Sequence, residues 1–227
     1  MTHQTLNLEL RHISCERDDT LLFKGLSYIF HAGAVVQIQG ENGAGKTTLL
    51  RIIAGLSDVY EGSITFNGSM HRSIEFYSSL LYLGHDGGVD VSLTPFENLR
   101  WYMGLNAQKI STKDMLDALQ KVGLRGYEYT PCSDLSAGQK RRTSLARLYC
   151  SNALLWVLDE PFTAIDVAGV ESLCQLFTEH TQRGGLLIVT SHQPIDLPSL
   201  QVLNLQGFKS LKKVDNKKQI EQGYNNA

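Results

Sequence analysis

Residues Gly40-Glu41-Asn42-Gly43-Ala44-Gly45-Lys46-Thr47-Thr48 fit the pattern G-x-x-x-x-G-K-[ST], and few other runs leave a chain so little choice of fold. This run follows the apolar stretch Val35 to Gln39 and leads into Leu49-Leu-Arg-Ile-Ile-Ala, whose apolar positions fall at helical spacing, with Gly55 suited to end the helix. Strand, glycine loop and helix in that order make a phosphate cradle. The glycines let successive backbone N–H groups turn inward, and the helix start adds partial positive charge. Lys46 reaches the β and γ oxygens of a nucleotide, and the Thr47 hydroxyl is offered to Mg²⁺.

Further along, Leu154-Leu-Trp-Val-Leu158 and Leu186-Leu-Ile-Val-Thr190 are continuous β-prone runs separated by a helical stretch. Such runs belong to strands buried on both faces of a parallel sheet. The first ends in Asp159-Glu160-Pro161. A carboxylate at the end of a buried strand needs a partner to offset its desolvation, and for Asp159 that partner is Mg²⁺. Glu160 is placed to face the γ-phosphate and polarise an attacking water, because phosphoryl transfer to water needs an oriented nucleophile. The first third of the chain reads as short strands, Leu6 to Ser14, Gly25 to Phe30, Val35 to Gln39 and Ser63 to Phe66, with an Asn67-Gly68 turn after the last. From about Leu93 to Ser151 the pattern is helical, with Pro95 near a helix start and Ser111 plus Asp114 resembling a capping box.

Between the cradle and the strand-end acids lies Leu135-Ser136-Ala137-Gly138-Gln139-Lys140-Arg141-Arg142. Ser136 and the backbone at Gly138 sit at a helix start and form a second anion site. This run resembles the signature loop of the ABC ATPases, and its position between the two other motifs makes the resemblance specific. The fold implied is α/β, a P-loop NTPase of ABC ATPase type. Its mostly parallel, RecA-like core and amino-terminal antiparallel β subdomain span residues 1–92 and 152–208, with a helical subdomain inserted at about 93–151 and a polar tail at 209–227. The resemblance also implies that Ser136, Gly138 and Gln139 hold a γ-phosphate bound to the opposite subunit of a head-to-tail homodimer. Thr163-Ala-Ile-Asp166 resembles the loop that crosses the dimer interface, and His192 matches the histidine that senses the γ-phosphate.

Two positions depart from the common pattern. His85 stands where most of the family has a glutamine that binds a water on Mg²⁺; a histidine can do the same, yet it also takes a proton near neutral pH. Arg17 stands where an aromatic side chain normally stacks on adenine, and a planar guanidinium can stack on a base too. Both fit one branch, the ATP-binding subunits of cytochrome c biogenesis complexes, often called haem exporters. The resemblance spans roughly residues 7 to 195 and includes Cys15-Glu-Arg-Asp, Leu83-Gly-His85, Leu158-Asp-Glu-Pro-Phe-Thr-Ala-Ile-Asp166 and Thr190-Ser-His192-Gln-Pro. It implies a cytoplasmic subunit on the inner face of the cell membrane, seated on integral membrane subunits. ATP hydrolysis there is linked to haem export or to release of a haem-loaded chaperone.

Composition narrows the partners. A net charge of −2, from 21 basic and 23 acidic residues, gives no global positive field, so nucleic acid is not expected. Lys140, Arg141 and Arg142 read as a solvated helix face, and Lys212, Lys213, Lys217 and Lys218 as a solubilising tail. The four cysteines, Cys15, Cys132, Cys150 and Cys174, show no metal-ligand spacing and suit a reducing compartment. No apolar run is long enough to cross a bilayer, and the polar amino terminus lacks an export signal. His31, His71 and His180 are scattered and read as surface residues rather than haem ligands. The alternative to a transport ATPase is an ATP-gated clamp on soluble partners; such proteins usually carry two cassettes or long coiled-coil insertions, and neither is present.

Overall fold

The computed structural model describes residues 6–17, 20–105, 109–197 and 200–209. Two sheets form the scaffold. The first is antiparallel, in the order β2-β1-β4-β5, and the second wholly parallel, in the order β6-β7-β8-β3-β9. In the first, β1 (Asn7–Arg17) pairs with β2 (Thr20–His31) on one side and β4 (Glu61–Phe66) on the other. The two-residue turn from β4 into the short β5 (Ser69–Met70) has Asn67 at φ 51° and Gly68 at φ 74°. Both left-handed values match the mirror-image turn that tight hairpins favour, which is why Asn-Gly marks this point.

The parallel sheet holds β3 (Val35–Gln39), β6 (Leu80–Leu83), β7 (Leu155–Asp159), β8 (Leu186–Thr190) and the edge strand β9 (Leu200–Asn204). Every residue of β7 and β8 is buried, so these strands show no polar alternation. One face is covered by α1 (Lys46–Ile53), which buries Leu49, Leu50, Ile52 and Ile53 in the core shared with the antiparallel sheet. The other face meets α6 (Val167–Gln182) through Leu173, Leu176 and Phe177. The short α2 (Ile74–Ser79) is capped by Ser73 and runs directly into β6.

Among the described residues, three α-helices and a short 3-10 turn (Cys132–Asp134) fill the stretch expected to be helical. α3 (Pro95–Leu105), α4 (Thr112–Lys121) and α5 (Ala137–Cys150) share a core of Phe96, Leu99, Met103, Met115, Leu119 and Ala146. Ser111 caps α4 by accepting from the Asp114 N–H, the arrangement read from the sequence. α5 serves two cores: Ala146 and Cys150 face its helical neighbours, whereas Leu145 and Leu148 pack against the sheet. It is the element through which the helical layer reads the position of the strands.

His180 departs from the surface position expected of it: it lies in the core, stacked on Trp156 with ring centroids 3.7 Å apart and an interplanar angle of 10°. Its Nε2 is buried with no hydrogen-bond partner among the described residues. Burial pushes its pKa down from 6.5 to about 4. The folded state therefore prefers the neutral ring, so the contribution to stability is complete above the unfolded value and is lost as pH falls from 6.5 toward 4. The full loss amounts to about 3 kcal/mol. Urea unfolding midpoints measured at pH 7.5 and pH 4.5 are expected to differ less in His180→Phe than in the natural chain; equal differences would assign the acid sensitivity elsewhere.

Candidate active site

The carboxyl ends of β3, β6, β7 and β8 lie side by side, and the chemistry-bearing residues leave the sheet there, as parallel α/β sheets generally arrange their ligand sites. The cleft they form measures about 410 Å³. Asn42, Gly43, Gly45, Lys46, Thr47 and Thr48 line it from the glycine loop and α1. His85, Asp159, Glu160 and His192 enter from the ends of β6, β7 and β8, with Thr163 just beyond. Arg17 and Leu22 close it from the antiparallel sheet.

Glycine is required where the loop turns into α1. Gly45 has φ 95°, and a Cβ there would lie 3.2 Å from the Phe23 ring and 3.3 Å from Leu22 Cβ. The loop thus packs hard against β2 and delivers backbone N–H groups to the cleft. Lys46 Nζ donates to Gly40 O at 2.8 Å and Glu41 O at 3.3 Å, which folds the side chain over the loop. Gly40, Glu41 and Ala44 shape the loop without lining the cleft. The Glu41 carboxylate instead accepts from Lys209 Nζ at 2.5 Å and Gln206 Nε2 at 3.3 Å, and the lysine draws the Glu41 pKa down.

At the end of β7, Asp159 is 2% exposed. Its Oδ1 accepts from Thr190 Oγ1 at 2.6 Å, while Oδ2 is buried with no hydrogen-bond partner among the described residues. A buried, half-satisfied carboxylate beside a phosphate cradle suits a hard divalent cation, and Thr47 supplies a hydroxyl to the same cleft. Glu160 adopts φ 50°, a left-handed conformation uncommon for glutamate. Its N–H donates to Thr190 Oγ1 at 3.0 Å, and its carboxylate accepts from the His192 N–H at 3.1 Å with His192 Nε2 at 3.5 Å. Thr190 therefore orients both acids, a role its identity in the sequence did not announce. The clue is the register: Asp159 and Thr190 are direct partners across β7 and β8.

The signature residues do not line this cleft. Ser136 is the exposed N-cap of α5, where its Oγ accepts from Gln139 N at 3.2 Å and its N–H donates to Gln139 Oε1 at 2.9 Å. Gln139 therefore has a structural task, satisfying the helix start. Gly138 packs against the Ala164 carbonyl, which a Cβ at Gly138 would approach to 3.2 Å. Asp166 caps α6 through the Gly169 N–H at 3.0 Å and pairs with Arg142 at 3.1 Å, also outside the cleft. The exposed start of α5 thus lies outside the cleft lined by the glycine loop.

A glycine-loop cradle, strand-end acids and an outlying serine-capped helix define an ATP-hydrolysing cassette. The chain belongs to the ABC transporter family, whose sequence model matches residues 23–163. It is 52% identical over 211 residues to the cytochrome c biogenesis ATP-binding export protein CcmA of Saccharophagus degradans, covering 89% of this chain and 95% of that one. The protein of the same name in Haemophilus influenzae is 48% identical over 206 residues, covering 89% and 97%. Among solved structures, an ABC transporter ATP-binding protein of Pyrococcus furiosus aligns with a TM-score of 0.78 at 26% identity, covering 90% of this chain and 100% of that one.

Proposed function

We propose that this chain is the ATP-hydrolysing subunit of a membrane complex for cytochrome c biogenesis. It works as an ATP-dependent head-to-tail pair on the cytoplasmic face of the membrane, seated on integral membrane subunits, and its turnover drives haem export or release of a haem-loaded chaperone. The observation that carries the pairing is the half-site: the cradle and both acids share one cleft, whereas Ser136 caps an exposed helix start outside it. A second copy turned end for end brings its Ser136 and Gly138 to the first copy's γ-phosphate. Among the described residues no helix is long and apolar enough to cross a membrane, so export requires membrane-spanning partners.

In the paired state the loop N–H groups and Lys46 hold the β and γ phosphates. Thr47 and Asp159 would hold Mg²⁺, with His85 lining the same cleft, and the ion would supply positive charge against the transferring phosphoryl group. Glu160 orients the attacking water, and His192 fixes the Glu160 carboxylate and contacts the γ-phosphate. Arg17 stacks on the base. Asp166 crosses to the opposite subunit. The nucleotide core comprises residues 1–92 and 152–208 and the helical subdomain about 93–151.

Affinity capture from solubilised native membranes, with Glu160→Gln and ATP holding the pair closed, tests the assignment. Small integral membrane proteins together with a cytochrome c maturation factor are expected to co-purify. Recovery of ribosomal or DNA-bound partners alone would overturn the membrane role.

A further inference from the structure

Arg141 lies on the first turns of α5, five residues after Ser136, and among the described residues its guanidinium makes four hydrogen bonds, every one to a main-chain carbonyl. Nη1 donates to Gly84 O at 3.0 Å and His85 O at 3.3 Å. Nη2 donates to Asp159 O at 2.7 Å and Glu160 O at 2.9 Å. One side chain therefore bridges the turns that follow β6 and β7, which are neighbours because Leu83 pairs with Leu158. Burial lowers the Arg141 pKa, and the nearby Asp159 and Glu160 carboxylates oppose that shift. A charge is partly desolvated here to fix backbone, with no carboxylate among the described residues hydrogen-bonded to it.

The fixed backbone matters at Glu160. Its left-handed conformation persists only when the surroundings hold it. Thr190 Oγ1 holds the N–H side, and Arg141 holds the carbonyl side. The same helix fastens the turn after β6 further along, where Arg147 Nη2 donates to Gly88 O and the Arg147 guanidinium lies 4.6 Å from the Tyr102 ring. The residues from Gly84 to Gly88 are thereby tied to α5 at both ends.

We propose that Arg141 is a positioning residue that transmits the docking of α5 to the reacting centre, setting the backbone of Glu160 and of His85 together. The inference rests on Glu160 being the residue that orients water. Occupation of Ser136 by a phosphate moves or fixes the start of α5, and the guanidinium carries that state into both turns. Arginine is required because its planar fork spans two turns, whereas an ammonium presents its donors from one point.

The test uses the full-length chain in its complex, with hydrolysis expressed per bound nucleotide so that unfolded protein does not count. Arg141→Lys, which keeps the charge and much of the stem, is expected to lower kcat by about tenfold to a hundredfold while KM for ATP and nucleotide affinity stay within about twofold. Combining it with His85→Ala, which removes the side chain that this turn presents to the cleft and so carries a loss of its own, should cost no more than the worse single change, because the two act as one unit. A kcat per site equal to that of the natural chain, or full multiplication of the two losses, overturns the proposal. Glu160→Gln in the same assay separates the two ideas: if it stays active the role of Glu160 fails, and if it is inactive while Arg141→Lys is unaffected only the role of Arg141 fails.

Discussion

Glu160→Gln is expected to reduce steady-state ATP hydrolysis by about a hundredfold to a thousandfold while ATP remains bound with near-natural affinity. Glutamine keeps the shape and can still accept from the His192 N–H, so the link between the ends of β7 and β8 survives. It cannot carry the negative charge that orients and deprotonates water. The side chain enters the cleft without contributing to the loop that cradles phosphate, and binding is therefore spared. Phosphate release and equilibrium nucleotide binding, measured on one preparation, give the two numbers. A variant retaining more than about a tenth of natural activity would remove Glu160 from the chemistry.

Lys46→Ala acts one step earlier. Nζ is held over the loop by the carbonyls of Gly40 and Glu41, poised where phosphate oxygens enter. Charge-assisted hydrogen bonds contribute roughly 1.5–3 kcal/mol each. Losing two weakens ATP binding by about a hundredfold or more, since 1.4 kcal/mol is tenfold in affinity. Stability should change little, because Lys46 is only partly buried and the two carbonyls can turn to water. A titration showing affinity within about threefold of the natural chain would contradict the placement of Lys46 against the phosphates.

The core was legible in the sequence because each signal there is local. Val35 to Gln39 and Leu186 to Thr190 appear as strands with the bounds expected, since a run buried on both faces needs no partner to be recognised. Gly25 misled, since β2 runs through it from Thr20 to His31 with Gly25 at φ 70°, whereas a lone glycine reads as a strand end. β6 and β9 were not foreseen. The first is four residues long and abuts a helix with no turn residue between them; the second buries little beyond Leu203 at the sheet edge. The tail lysines from Lys212 onward lie outside the described residues.

The cleft shows the same division. Motif spacing brought the cradle, His85, the strand-end acids and His192 toward one place because each motif ends a strand. Thr190 and Arg141 escaped notice because their partners lie 31 residues away in one case and 18 to 57 in the other. Arg141 read as part of a solvated face, yet its guanidinium turns inward to four carbonyls. Long-range polar contacts of this kind leave no periodic trace in a sequence.

The claim that two copies complete one another's sites is tested most directly by the mass of the Glu160→Gln chain in solution, measured by light scattering with saturating Mg–ATP and again with ADP. The mass should double with ATP alone, and a second substitution, Ser136→Arg, should abolish the doubling while leaving nucleotide binding intact, because Ser136 is exposed and lies outside the cleft that holds the nucleotide. A chain that stays single with ATP bound, or a pair indifferent to Ser136→Arg, would contradict the shared site.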